Sequence, residues 1–202
     1  MTSLKRTKLR QCTNCLCVIN GVWEWVEECA REAADEEPAM RGILDDVCLS
    51  RNSLATSISA RLARKLSRRD MPRELIEPLI REALADEESI LSQIAHDLIA
   101  IVDRDPACRT PLEPLLFYKG FHAITTYRIS HWLWKHGRTI MALQFQSLAS
   151  EVFAVDIHPA AVIGCGILLD HATSFVVGET AIIRDNVSIL HEVTLGGTGK
   201  EE

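Results

Sequence analysis

From Asp156 onward the sequence repeats every six residues. Read from Ile157, it divides as IHPAAV, IGCGIL and LDHATS, pauses for Phe175 and Val176, and resumes as VGETAI, IRDNVS, ILHEVT and LGGTGK. The first position of each unit is aliphatic throughout: Ile157, Ile163, Leu169, Val177, Ile183, Ile189 and Leu195. The fifth is small or β-branched: Ala161, Ile167, Thr173, Ala181, Val187, Val193 and Gly199. A period of six fits neither a helix nor a simple strand. It is the pattern of a parallel β-helix, in which three short strands make one triangular coil of about 18 residues and the first-position aliphatics point inward. A lone coil cannot cover its own apolar residues, so stacking is obligatory. Residues 151–202 supply only about two coils, where three or more repeats are normally needed, and an open strand edge invites association. The solenoid therefore reads as incomplete, truncated at its C-terminal end.

Residues 22–150 follow a different rule. Leu54, Ile58, Leu62 and Leu66 recur every fourth residue, with Arg61, Arg64, Lys65 and Arg68 between them. That spacing predicts a helix with one apolar stripe and one solvated, charged face. Pro72 suits a first helical turn, and Ile76, Leu79, Ile80, Ala83 and Leu84 continue with helical spacing. A third helix runs through Ile90, Leu91, Ile94, Leu98 and Ile101 to "DRDPAC", where Pro106 forces Asp105 out of helical geometry. Two further helical stretches are expected at roughly 113–136 and 139–150. Glycine is scarce from Val22 to Gly120 and strand-like alternation is absent, so the region is expected to be a helical assembly domain. The aromatics and histidines of "ISHWLWKHGR" are expected to pack against a neighbouring element.

Residues 1–21 carry Lys5, Arg6, Lys8 and Arg10 and no acid, which fits a disordered leader or an organelle transit segment. Cys12, Cys15 and Cys17 offer too few ligands for a structural zinc site. Seven cysteines at irregular spacing argue for a reducing compartment over a disulfide framework. Net charge is −6, which removes a global basic field for nucleic acid or an anionic membrane, and no apolar run is long enough to cross a bilayer. The location expected is the cytoplasm, with a plastid or mitochondrion as the alternative drawn from the basic N-terminus.

The ordered set "DIHPAA", "LDHAT" and "VTLGGTGK" resembles the serine acetyltransferases, and "DRDPAC", "YKGFHA" and "YRISHWLWKHGR" resemble the helical domain of that family. The resemblance covers roughly residues 22–200. It implies an α+β chain, an N-terminal helical domain followed by a left-handed parallel β-helix of hexapeptide repeats. It implies transfer of acetyl from acetyl-CoA, a co-substrate and not a resident cofactor, to the L-serine hydroxyl, giving O-acetyl-L-serine for cysteine biosynthesis. A free hydroxyl near neutral pH is a poor nucleophile, so a base is required, and histidine suits the task. By motif match His171 is the catalytic base and Asp156 the carboxylate that orients it. Asp105 and Asp170 match the serine-contacting carboxylates, and Gly197 and Thr198 the start of the loop beside acetyl-CoA. With coils of 18 residues, Asp156 is expected beneath Ser174, near His171. Taken alone, Asp105 also reads as a helix-ending residue.

Two positions depart from the family pattern. Ser174 stands where the family usually has glycine, and Glu192 where it has a small residue, adding negative charge near the expected cofactor. The resemblance further implies a trimer or dimer of trimers. It also implies docking to O-acetylserine sulfhydrylase through a C-terminal tail that lies outside these residues. A catalytically impaired isoform assembling with full-length subunits is the alternative. A second enzyme class, zinc-dependent hydration of carbon dioxide, is suggested by His158, His171 and His191, with His171 and His191 expected in register on successive coils. No metal is assigned.

Overall fold

The computed structural model describes residues 14–197. Its first helix, α1 (Cys15–Glu36), starts where the Asn14 side chain accepts from the Cys17 backbone N–H at 3.2 Å. Val18 and Ile19 are buried there, so α1 begins within the segment expected as a leader. The rest of the expected leader lies outside the described residues. A one-turn helix α2 (Arg41–Leu44) runs into a π-helical turn, Asp45–Leu49, and then come α3 (Leu54–Leu66), α4 (Arg73–Asp86) and α5 (Glu88–Arg104). Ser53 caps α3 by accepting from the Thr56 N–H, and Asp105 ends α5 in extended geometry, as the following proline requires.

Two expectations for this region need correction. Arg61 was expected on a solvated face but is buried, its guanidinium donating to the Leu116 carbonyl. The stretch 113–136 is two helices, α6 (Leu112–Phe117) and α7 (Lys119–Lys135), broken at an extended Tyr118. Helix α8 (Thr139–Phe153) closes the domain, with Ala154 in left-handed conformation just beyond it.

Among the described residues seven short strands follow: β1 (Val155–Ile157), β2 (Val162–Ile163), β3 (Leu168–Leu169), β4 (Phe175–Val177), β5 (Ile182–Ile183), β6 (Ser188–Ile189) and β7 (Thr194–Leu195). They pair in parallel as β1–β4–β7, β2–β5 and β3–β6, giving two coils with a third begun. Ile157, Ile163, Leu169, Val177, Ile183 and Ile189 are all buried, as the six-residue register requires. The two extra residues, Phe175 and Val176, lengthen the first coil. Ile157 therefore pairs with Val177, and Asp156 lies beneath Val176 and not beneath Ser174.

Helix α7 has no solvated face because it is sandwiched between the other helices and the first coil. The Tyr127 hydroxyl donates to the Ala161 carbonyl at 2.5 Å and accepts from the Ile163 N–H at 3.2 Å. His131 Nδ1 lies 2.7 Å from the Pro159 carbonyl, and Trp134 packs edge-on against His158. The expected packing role of this aromatic segment is what these contacts show. Below it, Arg128 pairs with Asp97 at 2.7 Å with both side chains at most 2% exposed. Asp97 Oδ1 accepts from the Ile167 N–H at 2.8 Å while Arg128 donates to the Gly164 carbonyl at 2.8 Å. Burial pushes the Asp97 carboxyl up, opposed by Arg128 and the coil's N–H groups.

Candidate active site

Three segments distant in sequence converge on one cleft of about 550 Å³. The end of α5 gives Asp105, Pro106 and Ala107; the break between α6 and α7 gives Phe117, Tyr118, Lys119 and Gly120; the end of β3 gives Leu169, Asp170 and His171. Asp105, Asp170 and His171, each singled out by sequence, are therefore brought together. Asp105 keeps its helix-ending role as well, since Oδ1 accepts from the Ala107 N–H at 2.8 Å.

His171 stands on a turn of unusual backbone. His171, Ala172 and Ser174 all have positive φ, at 57°, 62° and 59°. Left-handed backbone costs a non-glycine residue about 1–2 kcal/mol, so surrounding contacts must hold it. The Asp170 N–H donates to the Ile189 carbonyl at 2.8 Å, and the Ser174 N–H to the Ala154 carbonyl at 2.9 Å. The Glu192 N–H donates to the Thr173 carbonyl at 2.8 Å. From the helical side, Lys119 Nζ donates to Thr173 Oγ1. Gly120 allows the closest approach: a Cβ there would lie 2.0 Å from the Leu169 carbonyl oxygen. The positive φ at Ser174 also gives a physical reason for glycine at that position.

The His171 imidazole is 73% exposed, with Asp170 Oδ2 at 3.6 Å from Nε2. His191 stacks edge-on against it with ring centroids 5.8 Å apart, the registered pair expected from the repeat. Asp156 is elsewhere: its Oδ1 accepts from Gln146 Nε2 at 2.6 Å, and among the described residues no ion pair joins it to His171. The longer first coil moves it out of the expected register. His158 does not join the other two histidines, because it packs on Trp134 and its Nδ1 accepts from the Ala160 N–H. No group of three or more His, Cys, Asp or Glu side chains among the described residues is arranged to hold a metal. Gly197 is exposed beyond β7 and does not line the cleft, and Thr198 lies outside the described residues.

Sequence reading assigned no role to Phe117, Tyr118 or Lys119, although "YKGFHA" was part of the resemblance. Tyr118 is held neutral, its hydroxyl pushed up by burial and by the neighbouring Cys108 and Asp105. Chemically, the cleft offers one imidazole beside two carboxylates. It can take a proton from a hydroxyl and hold a cationic group near it.

Residues 22–126 match the family model described as "Serine acetyltransferase, N-terminal". The chain belongs to the serine acetyltransferase family. It is 48% identical over 179 residues to the serine acetyltransferase of Escherichia coli K12, an alignment covering 89% of this chain and 66% of that protein. Soybean serine acetyltransferase complexed with serine has a TM-score of 0.87 at 48% identity, covering 90% of this chain and 74% of that one. A serine acetyltransferase in complex with CoA has a TM-score of 0.86 at 45% identity, covering 88% and 76%. These likenesses place the helical domain and the partial left-handed β-helix in the serine acetyltransferase fold. No helix among the described residues is long and apolar enough to cross a membrane.

Proposed function

We propose that the protein transfers the acetyl group of acetyl-CoA to the hydroxyl of L-serine, giving O-acetyl-L-serine for cysteine biosynthesis. The observation that carries this reading is the convergence of Asp105, Asp170 and His171 on one cleft. In the proposed step the His171 imidazole takes the serine hydroxyl proton as that oxygen attacks the thioester carbonyl. A C–O bond forms, the C–S bond breaks, and the departing CoA sulfur takes the proton back from the imidazolium. Asp105 and Asp170 hold the substrate ammonium. The soybean relative complexed with serine and the relative in complex with CoA support this choice of substrates. Asp156 has no proposed contact with the base within one chain, because Gln146 holds it.

The chain spans 66% of the length of the bacterial relative, and thiol release by the protein is the assay. Acetyl-CoA and L-serine together are expected to release free CoA thiol, and Asp105→Asn to raise the serine KM by roughly tenfold or more through loss of a charge-assisted contact. Thiol release that ignores serine would overturn the reading. Assembly is part of the same proposal. Val162 and Ile182 stack on successive coils, outward-facing and 52% and 61% exposed, an apolar pair suited to a neighbouring subunit. A trimer or dimer of trimers is expected by light scattering. The same pair favours, as a second reading, a chain that acts by joining longer copies. Co-purification with a tagged longer copy, without serine-dependent turnover, would select it.

A further inference from the structure

The base stands on strained backbone, and one side chain from the helical domain reaches across to that turn. Lys119 opens α7 directly after the Tyr118 break, and its ammonium donates to Thr173 Oγ1, two residues beyond His171. Thr173 is bound from both sides: its N–H donates to the His171 carbonyl at 2.8 Å, and its carbonyl accepts from the Glu192 N–H at 2.8 Å. The next residue, Gly120, seats the Leu169 carbonyl just before Asp170 and His171. Helix α7 thus touches the turn on both sides of the imidazole. Both Lys119 and His171 line the cleft.

We propose that Lys119 is a positioning residue: by gripping Thr173 it fixes the left-handed turn that presents the His171 imidazole to the substrate hydroxyl. The inference rests on the acetyl-transfer reading of the same cleft. Lys119 does not touch the reacting atoms; it acts through Thr173. Its break at Tyr118 has a purpose in this scheme, since a continuous helix over 113–136 would not place an N-terminal lysine over the turn.

Kinetics and histidine ring spectra of the protein test this. Lys119→Met is expected to lower kcat roughly ten- to a hundredfold while the serine KM stays within about twofold, the signature of a misplaced base. Thr173→Val should do the same, and the double variant should be no worse than either single, because both remove one contact. Lys119→Arg should recover most of kcat. A serine KM that rises with kcat intact would overturn the proposal, since Lys119 would then hold substrate directly. Multiplying losses in the double variant would also overturn it. In ¹H–¹⁵N spectra, the contact between the His171 and His191 rings should weaken in Lys119→Met, and an unchanged ring spectrum contradicts the proposal. If the unmodified protein shows no serine-dependent thiol release, the acetyl-transfer reading fails, and the ring spectra still decide whether Lys119 positions His171.

Discussion

The two coils of the solenoid obey the same repeat, yet they are held in different ways. In the first, Leu169 meets Gly120, Ala161 and Ile163 meet Tyr127, Pro159 meets His131, and Ile167 meets Asp97. The second coil stacks on the first and is reached from the helices by Arg104, which bonds Ser188 and Asn186 as well as Gly166. Corners recur with the coil: Gly166 and Asn186 share positive φ, as do Ala172 and Glu192. The repeat therefore sets where a left-handed corner falls. The helical domain decides which corner becomes a site: the first-coil corner at Asp170 and His171 faces a cleft wall made by residues 105–107 and 117–120.

Breaking the helix-to-coil junction should have the largest effect. Asp97→Ala leaves the Arg128 guanidinium buried and unpaired, and is expected to cost about 3–5 kcal/mol in urea unfolding. Asp97→Leu with Arg128→Met should recover much of that loss. If Asp97→Ala costs under about 1 kcal/mol, the first coil does not depend on the junction.

Next in size is an acid effect in the core of α7. His122 is buried with Nε2 2.8 Å from the Leu115 carbonyl and Nδ1 without a partner, and burial holds it down at about 3 against an ordinary 6.5. The unfolded chain takes up a proton in that window and the folded chain does not, so stability rises with pH there. It is intact above pH 6.5 and lost as pH falls toward 3. The loss at pH 5 is about 2 kcal/mol relative to pH 7.5, and His122→Gln should remove that part of the slope in denaturant titrations at the two pH values.

The smallest effect compares the coils directly. Ser174→Gly relieves a left-handed serine in the first coil and should stabilise the protein by about 0.5–1 kcal/mol. Glu192→Gly should give a similar gain in the second. A loss of melting temperature in either would mean that the side chain, and not the backbone, holds that corner.

Much of this was legible in the sequence, for a physical reason. A six-residue burial pattern is local, and Ile157 through Ile189 fall inside as the register demands. The convergence of Asp105, Asp170 and His171 was legible only through the family resemblance, because no spacing rule links residues in two domains. What stayed hidden depended on long-range partners. Arg61 carries the same charge as Arg64, and nothing in the helical pattern says that one of them will meet the Leu116 carbonyl in the core. Asp97 and Arg128 sit on separate helices, and Gly120 looked like any helical glycine until the Leu169 carbonyl was seen against it. The Asp156 register failed for a smaller reason. The two-residue pause at Phe175 and Val176 makes the first coil longer than 18 residues, which carries the partner of Asp156 from Ser174 to Val176.

The most direct test sets the two stacked histidines against each other in serine-dependent thiol release. His171→Ala should lower kcat at least a hundredfold, the range for loss of a general base, while His191→Ala keeps kcat within about fivefold. Equal losses at the two positions, or a fully active His171→Ala, would contradict the assignment of the chemistry to the first coil.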